Sequence, residues 1–128
     1  MICFSKDGMS KATLLLVDDD ASIRRLCSRM LSRLGLNMLE AVNGKDGLSR
    51  LKNGEDVQAV LLDVNLPDGT GTDWAEKIQN ERPDLPVIFF TGNVSPKSNT
   101  IAGRHYLPKP FTKDILKEVL GRAVPDLF

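Results

Sequence analysis

The sequence predicts an α/β protein built on one parallel sheet, and three observations carry that expectation. Three short runs are almost wholly apolar, "LLLV" (14–17), "AVLL" (59–62) and "VIFF" (87–90), which suits strands covered on both faces. Segments of helical periodicity separate them, so strand and helix alternate along the chain. Two further candidate strands, "LNMLEAV" (36–42) and "RHYL" (104–107), mix polar with apolar residues, as edge strands do.

In "SIRRLCSRMLSRLG", Ile23, Leu26, Met30, Leu31 and Leu34 fall on one stripe of an amphipathic helix that stops at Gly35. The second helix has Asn43 as N-cap, Leu48 and Leu51 as its apolar face and Gly54 as its stop. A third carries Trp74 and Ile78 and ends before Pro83. The last is capped by Thr112, with Phe111 stapled onto Leu116. The segment "SPKSNTIAG" (95–103) offers only a Ser-Pro start and one large apolar residue. A fourth helix is expected there, shortened or irregular. Right-handed crossovers with the two mixed strands at the edges give the strand order 2-1-3-4-5. The expected fold is therefore a flavodoxin-like (βα)5 three-layer sandwich. It occupies residues 12–124, between a flexible N-terminal tail (1–11) and a C-terminal tail (125–128).

Seventeen basic and seventeen acidic residues cancel, so no net field steers the chain towards nucleic acid or an anionic membrane. No direct nucleic-acid or membrane binding is expected. Cys3 and Cys27 make neither a disulfide framework nor a metal-ligand pattern. A reducing, cytoplasmic setting follows from that usage. No apolar run has the length of a bilayer span, and "MICFSKDGMSK" lacks the apolar core of a signal peptide.

The strand ends carry the chemistry. Asp18 and Asp19 follow the first strand, Asp63 the third, Thr91 the fourth, and Lys109 lies just past the fifth. In an open parallel sheet these positions share one crevice. Three carboxylates brought together repel one another and call for a counterion. All are hard oxygen donors without His or Cys, which favours Mg²⁺, with Mn²⁺ as a substitute, over zinc. With the metal in place one carboxylate can attack a phosphoryl group, whose oxygens Thr91 and Lys109 are suited to bind. Asp20 is read as the cap of the first helix.

The set "VDDD", "LLDVNLPDGTG", "FFTGN" and "YLPKPF" resembles the receiver domain of bacterial two-component response regulators, over roughly residues 12 to 123. The resemblance implies a phosphoacceptor that takes a phosphoryl group from a sensor histidine kinase or a histidine phosphotransfer protein, with Mg²⁺. Such a chain catalyses only its own phosphorylation and dephosphorylation. Its output is a conformational change read by a downstream protein target or by a phosphorylation-dependent homodimer. Carried over by position, Asp63 is the phosphoacceptor. Asp19, Asp63 and the backbone carbonyl of Asn65 ligate the metal, and Asp18 acts through its water shell. Thr91 is the switch hydroxyl, Gly92 keeps the site accessible, Lys109 binds the phosphoryl group, and Tyr106 is the rotating aromatic. The Lys109–Pro110 bond is expected to be cis, as in relatives.

Lys109 lies only eighteen positions after Thr91, a few fewer than receivers usually have. The deficit falls in the weak fourth helix, so the site looks complete while the usual signalling face looks altered. Two alternatives remain beside the receiver reading. One is a phosphotransferase of the haloacid-dehalogenase type, which Asn65 disfavours because those enzymes need a general acid at that place. Their acidic pair also follows the lysine, whereas here it comes first. The other is a pseudo-receiver that binds partners without phosphorylation. A flavin carrier is set aside, since a triple Asp after the first strand would repel the flavin phosphate. His105 is read as a surface or edge side chain, Trp74 as a core contact, and the Arg24-Arg25 pair as a solvated helix face.

Overall fold

Alternation along the central strands builds two cores, one on each face of the sheet. The computed structural model describes residues 12–91, 100–101, 104–108, 111–125 and 127, with backbone alone at 91, 100, 101, 104, 106 and 108. In β1 (Thr13–Val17), Leu14 and Leu16 join one apolar cluster and Leu15 and Val17 the other. In β3 (Ala59–Asp63), Ala59 and Leu61 go to the first and Val60 and Leu62 to the second. Ile88 and Phe90 of β6 (Val87–Thr91) likewise oppose Val87 and Phe89. This is the two-residue period of a strand with no solvent on either side.

β1 pairs in parallel with β2 (Asn37–Ala41) and with β3, β3 with β6, and β6 with β8 (Arg104–Pro108). Counted among themselves, the parallel strands run in the expected order 2-1-3-4-5. Helices cover both faces. α1 (Ala21–Arg33) and α4 (Lys113–Ala123) supply Cys27, Leu31, Leu116, Val119 and Leu120 to the first core. α2 (Gly44–Lys52) and α3 (Gly71–Glu81) supply Leu51, Ala75 and Ile78 to the second. Each start is capped as a short polar side chain allows: Asp20 accepts from the Ser22 and Ile23 amides, Asn43 from Asp46, Thr70 from Asp73 and Thr112 from Ile115. Phe111 and Leu116 are buried in one cluster, as the staple requires, and the Phe111 ring meets Phe90 edge-on at 6.5 Å.

Three features depart from the sequence expectation. β7 (Thr100–Ile101) pairs antiparallel with β8 through Thr100↔His105 and Ile101↔Arg104 and stands at the sheet edge. The fifth predicted strand is thus flanked rather than terminal, and part of the segment expected as a fourth helix is strand. Thr100 and Ile101 are both β-branched, stiff at χ1 and better placed on a pleated surface than in a helical turn. Residues 92–99 and 102–103 of that region lie outside the described residues, as do the expected tail 1–11 and residues 126 and 128. Second, Leu26 leaves the predicted stripe and is 41 % exposed, while Cys27 is buried. The buried seam centres on Cys27 and Leu31, about 100° round the helix from Leu26.

Third, a two-stranded hairpin, β4 (Asn65–Leu66) and β5 (Gly69–Thr70), joins β3 to α3. Its turn residue Asp68 reaches α2, where its carboxylate oxygens accept from the Gly44 and Lys45 amides at 3.0 Å each. Its carbonyl accepts from Trp74 Nε1 at 3.2 Å, and Lys77 Nζ stands 4.5 Å from the centre of the Trp74 ring. Trp74 is thus a half-buried contact, pressed so closely on Gly44 that a Cβ there would fall 2.2 Å from the ring. Desolvation raises the Asp68 pKa, but the Lys45 and Gly44 amides, its own amide and Lys77 outweigh it and hold the carboxyl below its ordinary 3.8.

Two outcomes follow from this junction. Gly44→Ala should displace the single tryptophan and cost about 1–3 kcal/mol, seen as a lower urea midpoint and an altered Trp74 emission. Because the amides favour the ionised carboxyl, the stability from Asp68 is present above pH 3.8 and lost as pH falls through its lowered value. Wild type should therefore exceed Asp68→Ala by up to about 1 kcal/mol in urea unfolding at neutral pH, an exposed and screened contribution, and the two should converge on acidification.

Candidate functional site

Because β1, β3, β6 and β8 are parallel, their C-terminal ends meet at one rim of the sheet. Asp18 lies one residue past β1 and keeps the ladder going, its amide donating to the Ala41 carbonyl at 3.1 Å. It is 1 % exposed, and its Oδ1 accepts from the Asp20 amide at 2.8 Å. Asp19, next in the chain, is exposed. Asp63 ends β3 opposite Phe90 of β6, is 9 % exposed, and accepts from the Asn65 amide at 3.3 Å. Carboxylate oxygens of Asp18, Asp19 and Asp63 all lie within 4.8 Å of one another.

That donor set fits a hard divalent cation. Three carboxylates, graded from buried Asp18 to exposed Asp19, give a cation anionic oxygen on the protein side and open solvent on the other. Mg²⁺ favours this arrangement, since it takes one or two carboxylates and keeps several waters or phosphate oxygens. Asn65 opens β4 two residues beyond Asp63 and is exposed at the same rim. The backbone of Thr91 ends β6, one residue past the partner of Asp63. Tyr106 sits on β8 in register with Phe89. The side chains of Thr91 and Tyr106, and all of Gly92, Lys109 and Pro110, lie outside the described residues. His105, on β8, is half-buried, in keeping with an edge residue.

Two residues that support the acids escaped the sequence reading. Arg24 is not a solvated side chain. Its Nη1 donates to the Asp18 carbonyl at 2.8 Å and its Nε to Glu40 at 2.9 Å. One guanidinium thus ties the loop bearing Asp18 and Asp19 to α1 and to β2. Its neighbour Arg25 is exposed, as expected of a helix face. Gly71, the first residue of α3, is the other. A Cβ there would stand 2.5 Å from the Asp63 carbonyl oxygen and 2.8 Å from Val64 Cα, so only glycine lets α3 start against the backbone of Asp63. Its amide donates to the Val64 carbonyl at 2.8 Å. The glycine of "DGTG" was a local signal for this approach. Glu40, sixteen positions beyond Arg24 and on β2, left none.

Comparison with known proteins agrees with this geometry. Residues 14–121 match the family model of the response regulator receiver domain. A chemotaxis protein CheY homolog of Campylobacter jejuni is 36% identical over 114 residues, covering 84% of this chain and 88% of that protein. The sensor histidine kinase CheAY of Helicobacter pylori is 32% identical over 94% of this chain, which spans only 16% of that longer protein. Among solved structures, a CheY-like receiver domain protein of Methanospirillum hungatei superposes with a TM-score of 0.80 at 29% identity, covering 92% of this chain and 97% of that one. Vibrio cholerae CheY4 gives 0.78 at 26%, covering 89% and 99%. The acidic rim therefore sits on a CheY-like receiver fold, and this chain belongs to the response regulator receiver domain family.

Proposed function

We propose that this receiver accepts a phosphoryl group on Asp63 from a histidine kinase or a histidine phosphotransfer protein, and signals to a protein target by the change that follows. The convergence of Asp18, Asp19 and Asp63 within 4.8 Å at the strand ends carries the reading. In it Asp19, Asp63 and the Asn65 carbonyl hold Mg²⁺, and Asp18 orders its water. Mg²⁺, when bound, neutralises charge on the carboxylates and on the incoming phosphoryl oxygens.

A carboxylate oxygen of Asp63 attacks phosphorus, and the new O–P bond forms as the P–N bond to the donor histidine breaks. The electron pair returns to the imidazole nitrogen, which takes up a proton. Asp63 suits the nucleophile's place because it lies at the margin of burial, between the buried core and the exposed rim. Thr91 and Lys109 bind the phosphoryl oxygens, Gly92 leaves room for them, and Tyr106 answers the Thr91 shift. A cis peptide before Pro110 belongs to the same reading. Similarity to part of a protein named a sensor histidine kinase supports an upstream kinase and, with it, a cytoplasmic setting.

Incubation with acetyl phosphate and Mg²⁺ should add one phosphoryl group in intact mass. The adduct should be lost with EDTA and in Asp63→Asn. Wild type without any adduct from acetyl phosphate or a histidine-phosphorylated donor would instead make the chain a pseudo-receiver.

A further inference from the structure

The β4–β5 hairpin leaves β3 after one residue, Val64, and begins at Asn65. It consists of two residue pairs, Asn65↔Thr70 and Leu66↔Gly69. A ribbon that short does not hold its own place in water. Leu66, 9 % exposed, anchors one side of it in the core beneath α3. The tip is anchored elsewhere. Both Asp68 carboxylate oxygens accept amides at the start of α2, where the helix end favours negative charge, and Trp74 Nε1 holds the Asp68 carbonyl.

We infer that Asp68 is a positioning residue for the cation site. By tying the hairpin tip to the Gly44 and Lys45 amides, it fixes the ribbon whose first residue, Asn65, supplies a carbonyl to the cation. The inference rests on the cation reading of the acidic rim. It adds a residue from outside the cluster of acids, and it makes α2 part of the support of that cluster. A ligand on a loosened ribbon must be ordered when the cation binds, and the affinity falls by that cost.

Calorimetric titration of Mg²⁺ into the full chain tests it, using wild type, Asp68→Ala, Asp68→Asn and Thr112→Ala. Asp68→Ala should raise the Mg²⁺ dissociation constant by about tenfold. Asp68→Asn, whose amide oxygen can still accept one of the two N–H groups, should fall between it and wild type. Thr112→Ala removes a helix cap of comparable worth far along the chain, at α4. It should lose stability and keep wild-type Mg²⁺ affinity, which separates positioning from general weakening. An Asp68→Ala affinity within about twofold of wild type, or a Thr112→Ala loss as large as that of Asp68→Ala, overturns the inference alone. Wild type that takes up no Mg²⁺ overturns the cation reading, and the inference with it.

Discussion

A parallel sheet covered on both faces leaves its strands nowhere to place a charge except at their ends. That constraint organises the molecule. Leu14 to Val17 and Ala59 to Leu62 are shut in helices on either side, and a carboxylate within either run would lie buried in hydrocarbon. One residue later each apolar run ends. Asp18 and Asp63 stand at that boundary, still tied to the sheet by backbone, and Asp19, the next residue after Asp18, is exposed. Their closeness is thus a product of the sheet. Adjacent parallel strands that stop at the same level deliver their next side chains to the same place.

The acids then need their loops held still, and the structure does so with contacts that involve no apolar burial. Arg24 bridges the first loop to α1 and β2, Asp20 both caps α1 and has its amide on Asp18, and Gly71 lets α3 begin against Asp63. Each of these contacts joins a helix start to a strand end. A βα unit gives such contacts an advantage, because the helix begins only a few residues after the strand stops and its first amides are free to take partners.

Most of the fold was legible in the residues because it depends on period and punctuation. The short runs at 14–17, 59–62 and 87–90 suited strands buried on both faces, and Asn43, Gly54, Thr112 and Pro83 bound helices in the way their backbones allow. The acids were legible for the same reason: each closes such a run. What escaped depends on long-range pairing. Nothing local announces that Arg24 finds Glu40 or that Asp68 finds Gly44, and the Leu26 stripe was misjudged because Leu26 and Cys27 are both apolar neighbours about 100° apart on the helix, and only packing decides which of them is buried. At Thr100 and Ile101 the expectation failed for another reason. The Ser-Pro start of that segment resembles a helix entry, while these two β-branched residues prefer the pleated sheet into which they fold.

The short strand β7 has a bearing on how this chain keeps company with copies of itself. An open parallel sheet ends in a strand with one row of unmated amides and carbonyls, a ready template for any other extended chain. Here the β8 side of the sheet is met, at His105 and Arg104, by two residues running the opposite way. The outermost element is then too short to template a further strand, a device that soluble β-proteins use against fibrous self-association. Residues that depart from the expected helix thus leave the sheet with a blunted margin.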